Sequence, residues 1–125
     1  MPFRENDKAI YIQIADGICD RVMSGALNPG DRIPSVREYA ATVGVNANTV
    51  MKSYEYLSMK EIIFNRRGIG FFIAPGAIEI ICRERKEIFF SGEAEYFFGR
   101  MASIGLTPEE VAALYSSYIE KNSRQ

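Results

Sequence analysis

The sequence has 125 residues, of which 47% are apolar and 25% charged, and its formal net charge is −1. This apolar fraction supports a packed core and excludes compositional disorder. The sequence contains no histidine, which excludes histidine-dependent catalytic triads and zinc–histidine sites.

We therefore expect a protein without enzymatic activity, cofactor or metal. No apolar run approaches the roughly 20 residues that a membrane span needs, and the polar N-terminus has no hydrophobic signal core. A cytoplasmic protein without membrane contact is the expectation. Cys19 and Cys82 are far apart and lack metal-ligand spacing, so we interpret both as reduced, buried side chains.

Two short amphipathic helices are predicted first. Apolar residues recur at helical spacing over residues 8–24, and Gly25 suits the C-terminal cap of that helix. A second helix begins at Ser35, where Glu38 three residues later completes a capping box. This helix ends at Gly44. Its short apolar stripe consists of four residues: Val36, Tyr39, Ala40 and Val43.

The third predicted helix is capped by Asn46 and runs to about Lys60. Its buried face is predicted to comprise three residues at positions i, i+4 and i+7: Val50, Tyr54 and Leu57. At 100° per residue, Asn48 and Lys52 point away from that face. The exposed side near the start of this helix is therefore polar and partly cationic.

A change of periodicity follows the third helix. Residues 62–64 and 71–73 are short β-prone runs. The six residues between them, 65–70, contain two arginines and two glycines. This pattern is typical of a β-hairpin with a basic tip. Within residues 32–67, six lysines and arginines face three acids, a net charge of +3, so the positive charge is local and modest.

Two further helices are predicted after Pro75. A long helical stretch covers residues 77–103 and is weakened at Gly92. Thr107 and Glu110 then form a second capping box at the start of the last helix. The predicted fold is mainly α with a small β-hairpin: an N-terminal winged helix-turn-helix and a C-terminal two-helix appendage.

Four motifs in this order resemble the DNA-binding domain of the GntR family. They are AIYIQIA at residues 9–15, SGALNPGDRIPSVREYA at 24–40, GVNANTV at 44–50 and RRGIGFFI at 66–73. The short helical C-terminal part is similar to the YtrA-type subfamily, in which such helices mediate dimerisation. The resemblance implies a homodimeric regulator, expected to be a repressor, acting on a pseudo-palindromic operator in double-stranded DNA.

The resemblance, together with the exposed cationic positions, implies a DNA interface of nine residues: Ser35, Arg37, Asn46, Asn48, Thr49, Lys52, Arg66, Arg67 and Gly68. Two positions depart from the family pattern. Ala47 stands where some relatives have a base-reading arginine, and Glu61 replaces a glycine that ends the third helix. These departures and the near-neutral charge leave an alternative open: a winged-helix protein-interaction module that has lost DNA binding.

The predicted domains are 1–75 for DNA binding and 76–125 for dimerisation. The second carries more aromatic and aliphatic side chains than two helices can bury alone. Its predicted interface comprises six residues: Ile81, Phe89, Tyr96, Phe97, Leu114 and Tyr118. Two helices of this length cannot enclose a drug-sized pocket within one chain, and the sequence does not identify a small-molecule effector.

Overall fold

The computed structural model describes residues 8–123. Its helices are α1 (Ile10–Met23), α2 (Val36–Val43), α3 (Ala47–Met59), α4 (Ala77–Ile88), α5 (Ala94–Ser103) and α6 (Pro108–Ser123). The strands β1 (Ile63–Arg66) and β2 (Gly70–Ile73) lie between α3 and α4, and a π-helical segment, Phe89–Glu93, joins α4 to α5. The predicted class, mainly α with one β-hairpin, is confirmed. The chain divides into two compact units, and the first ends at Lys86.

The predicted caps form as the sequence indicates. The Ser35 hydroxyl accepts a hydrogen bond from the Glu38 N–H at 3.2 Å, and the Glu38 carboxylate accepts one from the Ser35 N–H at 3.0 Å. α2 then ends at Gly44, whose φ is +72°. At the start of α3, Asn46 Oδ1 accepts a bond from the Asn48 N–H at 2.7 Å. Each cap satisfies backbone N–H groups that have no partner within the helix.

The core of the first unit forms where the apolar stripes of α1 and α3 meet the hairpin. Ala15 and Ile18 of α1, and Val50, Tyr54 and Leu57 of α3, are at most 1% exposed. Ile63 and Ile73 close the core from the hairpin, where they face each other across β1 and β2. The apolar stripe of α2 is buried unevenly: Ala40 is 7% exposed, whereas Val43, the last residue of the helix, is 40% exposed.

The first unit also contains most of α4. Ala77 and Ile81 belong to its buried core, at 0% and 2% exposure. Glu84 forms a salt bridge with Lys60, the C-cap of α3, and Arg85 forms one with Asp20 of α1 at 2.7 Å. The compact unit therefore extends 11 residues beyond position 75, where the sequence suggested a boundary.

The end of α3 shows how Glu61 replaces the expected glycine. Glu61 has φ +64° and is the one non-glycine residue with positive φ among residues 8–123. Its N–H donates to the Ser58 carbonyl, and the Ile62 N–H donates to the Leu57 carbonyl, both at 3.0 Å. These two bonds define the helix end that glycine usually makes. The helix therefore does not run on, and Glu61 accepts a conformation that is strained for a side chain with Cβ.

The second unit, from Glu87 onward, consists of the π-helical segment, α5 and α6. The predicted weak point at Gly92 lies inside the π-helical segment. Thr107 and Glu110 form the predicted capping box, with both hydrogen bonds at 3.1 Å. Within residues 87–123, Ala94 is the single fully buried side chain. No helix in residues 8–123 is long and apolar enough to cross a bilayer.

Candidate nucleic-acid interface

The first turn of α3 is exposed because the opposite face of the helix is anchored. Ala47 and Asn48 are exposed and Thr49 is half-buried. The Ser53 hydroxyl, fully buried, donates to the Tyr11 carbonyl of α1 at 2.7 Å. This bond and the buried α3 face hold the helix so that its N-terminal side chains point to solvent.

Lys52 is one turn further along the exposed side of α3. Its ammonium lies 4.9 Å from the centre of the Tyr11 ring, a cation–π distance. The ring limits where the side chain lies, and Lys52 is exposed to solvent. Lys52 is thus an exposed cation with a restricted position, as expected of a residue that contacts a phosphate.

The start of α2 is tied to α3 by a buried hydrogen bond. The hydroxyl of Tyr54, which is 0% exposed, donates to the Pro34 carbonyl at 2.6 Å. Burial raises the pKa of Tyr54 above its usual value, so the hydroxyl stays protonated and keeps donating. Ser35 and Arg37, both exposed, follow directly. The bond therefore fixes where these two side chains stand relative to the exposed turn of α3.

The wing, which we define as β1, β2 and the loop Arg67–Ile69, carries the remaining predicted contacts. Arg67 and Gly68 lie in the exposed loop, where Gly68 has φ +78°. Arg66 is exposed, but its guanidinium carbon lies 5.3 Å from the centre of the Phe72 ring and 5.9 Å from that of Phe64. Arg66 is therefore held against the wing, while Arg67 extends from its tip.

Sequence reasoning missed Arg32. It pairs with Phe72 in an isolated antiparallel bridge at the edge of β2 that does not pair with β1. Arg32 is exposed and lies immediately before the Pro34–Ser35 start of α2. The sequence offers no strand signal here, because Asp31 and Arg32 are both polar and three residues between a turn and a helix are too few to predict a strand.

The six predicted interface residues differ in their surroundings. Ile81 is covered by the core of the first unit and has no surface to offer a partner. Tyr96 is half-buried. The other four are exposed, between 37% and 63%: Phe89, Phe97, Leu114 and Tyr118.

Three packed helices, an exposed polar turn at the start of the third and a basic β-hairpin define a winged helix-turn-helix DNA-binding protein. Residues 10–73 match the bacterial regulatory proteins of the gntR family. The chain therefore belongs to the GntR family and is a DNA-binding transcriptional regulator.

Similar proteins support this placement over nearly the whole chain. The HTH-type transcriptional regulator YhcF of Bacillus subtilis is 40% identical over 116 residues, which cover 93% of this chain and 94% of YhcF. The HTH-type transcriptional repressor YtrA of the same organism is 41% identical over 68 residues, 54% of this chain and 52% of YtrA. A crystal structure of a GntR-family regulator from Bacteroides thetaiotaomicron has a TM-score of 0.74 and 48% identity, covering 91% of this chain and 99% of that one.

Proposed function

We propose that this regulator is a homodimeric repressor that recognises a pseudo-palindromic operator. The observation that carries the proposal is the exposed, polar first turn of α3, held outward by a fully buried opposite face. A helix presented in this way enters the major groove with its N-terminal residues against the base edges.

Base recognition in this proposal depends on few side chains. Ala47 has no hydrogen-bonding group, so the bases are read by Asn48 and Arg37. Asparagine pairs with adenine and arginine with guanine through two hydrogen bonds each. Arg37 forms no salt bridge with any residue in the range 8–123, and its donors are available for this contact.

The remaining predicted residues position the protein on the DNA backbone. Lys52 and Arg67 supply positive charge, and Gly68 lets the tip of the wing approach closely. Four more residues contribute: Ser35, Asn46 and Thr49 near the helix starts, with their neighbouring N–H groups, and Arg66 on the wing. Such contacts fix register without reading sequence.

The second unit supplies the dimer interface in this proposal. Within it, large apolar side chains remain exposed, among them Phe90 at 64%, Phe98 at 56% and Tyr115 at 66%. Exposed apolar surface of this extent is typical of an interaction site. A second copy of the chain is the simplest partner, because a two-fold axis matches the symmetry of a pseudo-palindromic operator. The repressor role is supported by the similarity to YtrA, which is named a repressor.

Titration of genomic DNA fragments at two salt concentrations tests the proposal. We expect selective binding of a few fragments. The variant Arg37→Ala should bind the selected fragment with about 1–3 kcal/mol less binding free energy, and it should discriminate less between fragments. The variant Lys52→Ala should weaken all fragments alike and lower the salt slope by about one. Arg83→Ala, an exposed arginine of α4, is the control. Unchanged affinity in both test variants contradicts the assignment of this surface.

A further inference from the structure

The two faces of the wing differ in character. Residues directly opposite each other in an antiparallel pair lie on the same face, and successive residues alternate between faces. Ile63 and Ile73 are such a pair, and both are buried in the core. Phe64 pairs with Phe72 and Arg66 with Gly70. These four residues therefore form the outer face of the wing.

Arg32 extends this outer face by one bridged residue beside β2. It stands opposite Phe72, and two hydrogen bonds flank the pair: Ile33 N–H to the Phe71 carbonyl at 3.0 Å and Ile73 N–H to the Asp31 carbonyl at 2.9 Å. Because opposite residues share a face, the Arg32 side chain lies on the outer side beside the Phe72 ring.

The Arg32 guanidinium lies against Gly70. A Cβ atom at residue 70 would be 2.9 Å from Arg32 Nε and 3.3 Å from Nη2. The guanidinium therefore occupies space that any other residue would fill. Gly70 also has φ +143°, a backbone conformation that favours glycine, and a larger residue here would displace the Arg32 guanidinium.

Two guanidinium groups thus share one small surface. Arg66 lies over the Phe72 ring, and Arg32 lies over Gly70, two residues earlier on the same strand. Positions two apart on a strand are separated by about 7 Å. The two guanidinium groups are therefore close enough to contact the same phosphate. Neither arginine forms a salt bridge within residues 8–123, so neither guanidinium is ion-paired in this part of the chain.

We propose that Arg32, together with Arg66, binds a phosphate of the DNA backbone on the outer face of the wing. The inference rests on the proposed DNA-binding role and adds a contact outside the nine residues assigned to it. The planar fork of N–H donors on a guanidinium matches the oxygens of a phosphate. Glycine at position 70 leaves room for the Arg32 guanidinium, and the aromatic rings hold the Arg66 guanidinium in place.

The position of Arg32 links two parts of the proposed interface. The pKa of Glu38 is lowered mainly by its hydrogen bonds with Ser35 and, to a smaller extent, by the positive charge of Arg32. Arg32 is thus within electrostatic reach of the start of α2 as well as of the wing. A phosphate held there connects the backbone contacts at the two elements.

The test uses the full chain and a fluorescently labelled duplex of random sequence, because a phosphate contact does not depend on sequence. Affinity is measured by anisotropy between about 50 and 200 mM salt for wild type and for Arg32→Gln, Arg32→Lys and the control Arg83→Gln. Thermal unfolding of each variant checks the fold. When the salt concentration rises over this interval, the affinity of wild type should fall by a factor roughly 3.5 times larger than the factor for Arg32→Gln. This difference is the amount that one phosphate contact contributes.

Arg32→Lys and Arg83→Gln should keep the wild-type salt slope, because the first retains the charge and the second lies outside the interface. A weaker Arg32→Gln variant with an unchanged slope would mean that Arg32 only positions the wing, and the phosphate contact would be overturned. An Arg32→Gln variant indistinguishable from wild type would overturn it as well. Wild type that fails to bind DNA would overturn the proposed function itself.

Discussion

The two units of this protein bury their apolar residues to very different degrees. In the first unit, side chains from α1, α3, the hairpin and α4 form one core, and large residues such as Ile18 and Tyr54 are at most 1% exposed. In the second, Ala94 alone is fully buried within residues 87–123, while Phe90, Phe98 and Tyr115 are more than half exposed. The first unit buries a large apolar core within one chain, although Ile10, Met59 and Ile69 are more than half exposed, whereas the second unit has no comparable core within residues 87–123.

This difference indicates where a partner is needed. Burying one large apolar side chain stabilises a folded or associated state by about 1.5–3 kcal/mol. Burial of the several exposed aromatic side chains would therefore strongly favour association. A helical unit that leaves them in water gains little from folding alone. In the proposed homodimer, a second copy supplies the missing burial and brings two DNA-binding surfaces together.

Truncation tests the comparison most strongly. A chain that ends after Lys86 keeps Ala77 and Ile81 in the core, and it should fold as a monomer. Its affinity for the full operator should fall by about 10²–10⁴-fold, because the two DNA-binding surfaces are no longer linked. A chain that ends after Pro75 also loses both core residues, and removing Ile81 alone should cost about 2–5 kcal/mol.

Light scattering, thermal unfolding and operator titration compare both truncations with the full chain. A dimer formed by residues 1–86 would contradict the division of roles between the units. A 1–75 chain as stable as the 1–86 chain would show that α4 is not part of the first core.

A charged substitution in the second unit should separate the subunits of the proposed dimer without removing any part of the chain. Phe89 is 40% exposed, and Phe89→Glu would place a charge in the proposed interface, where burying an unpaired charge is costly. We expect a monomer at micromolar concentration with the fold of the first unit intact. Glu109→Gln, an exposed position of α6, is the matched control and should remain dimeric. The proposed interface is incorrect if Phe89→Glu is also dimeric by light scattering.

The buried thiol of Cys19 gives the first unit a pH dependence. Burial raises the pKa of Cys19 from 9.0 to about 11. Since the folded pKa is above the unfolded one, the stability contributed by the neutral thiol is complete below pH 9 and is lost as the pH rises toward 11. Unfolding curves across this range should show a decline that is smaller in Cys19→Ala. Cys82→Ala retains Cys19 and should show the wild-type decline; equal declines in all three proteins would contradict the burial argument.

The smallest expected effect is a gain in stability at the end of α3. Glu61 holds φ +64°, which costs a residue with Cβ about 1–2 kcal/mol. Glu61→Gly should therefore stabilise the first unit by about 1 kcal/mol, after allowing for the greater freedom of glycine in the unfolded chain. Lys60→Gly, at an ordinary helical φ of −83°, should destabilise it. Chemical denaturation measures both changes, and a destabilised Glu61→Gly would mean that the Glu61 side chain makes a compensating contact.

The sequence by itself determined the features that depend on near neighbours. Ser35 with Glu38, Asn46 and Thr107 with Glu110 form the predicted caps, since each bond joins residues two or three positions apart. The buried face of α3 followed from apolar spacing alone. The ordered motifs over residues 9–73 were sufficient to indicate the family and the DNA-binding unit.

Tertiary structure decided the features that join distant segments. Ile81 lies in the core of the first unit because α4 packs back on residues far earlier in the chain, which helical spacing cannot reveal. Arg32 joins the wing through pairing with Phe72, 40 positions later. Arg66 is held over Phe64 and Phe72 because strand register places all three on one face. Spacing along a chain determines which face of an element is apolar, but only the packed structure determines which other element covers it.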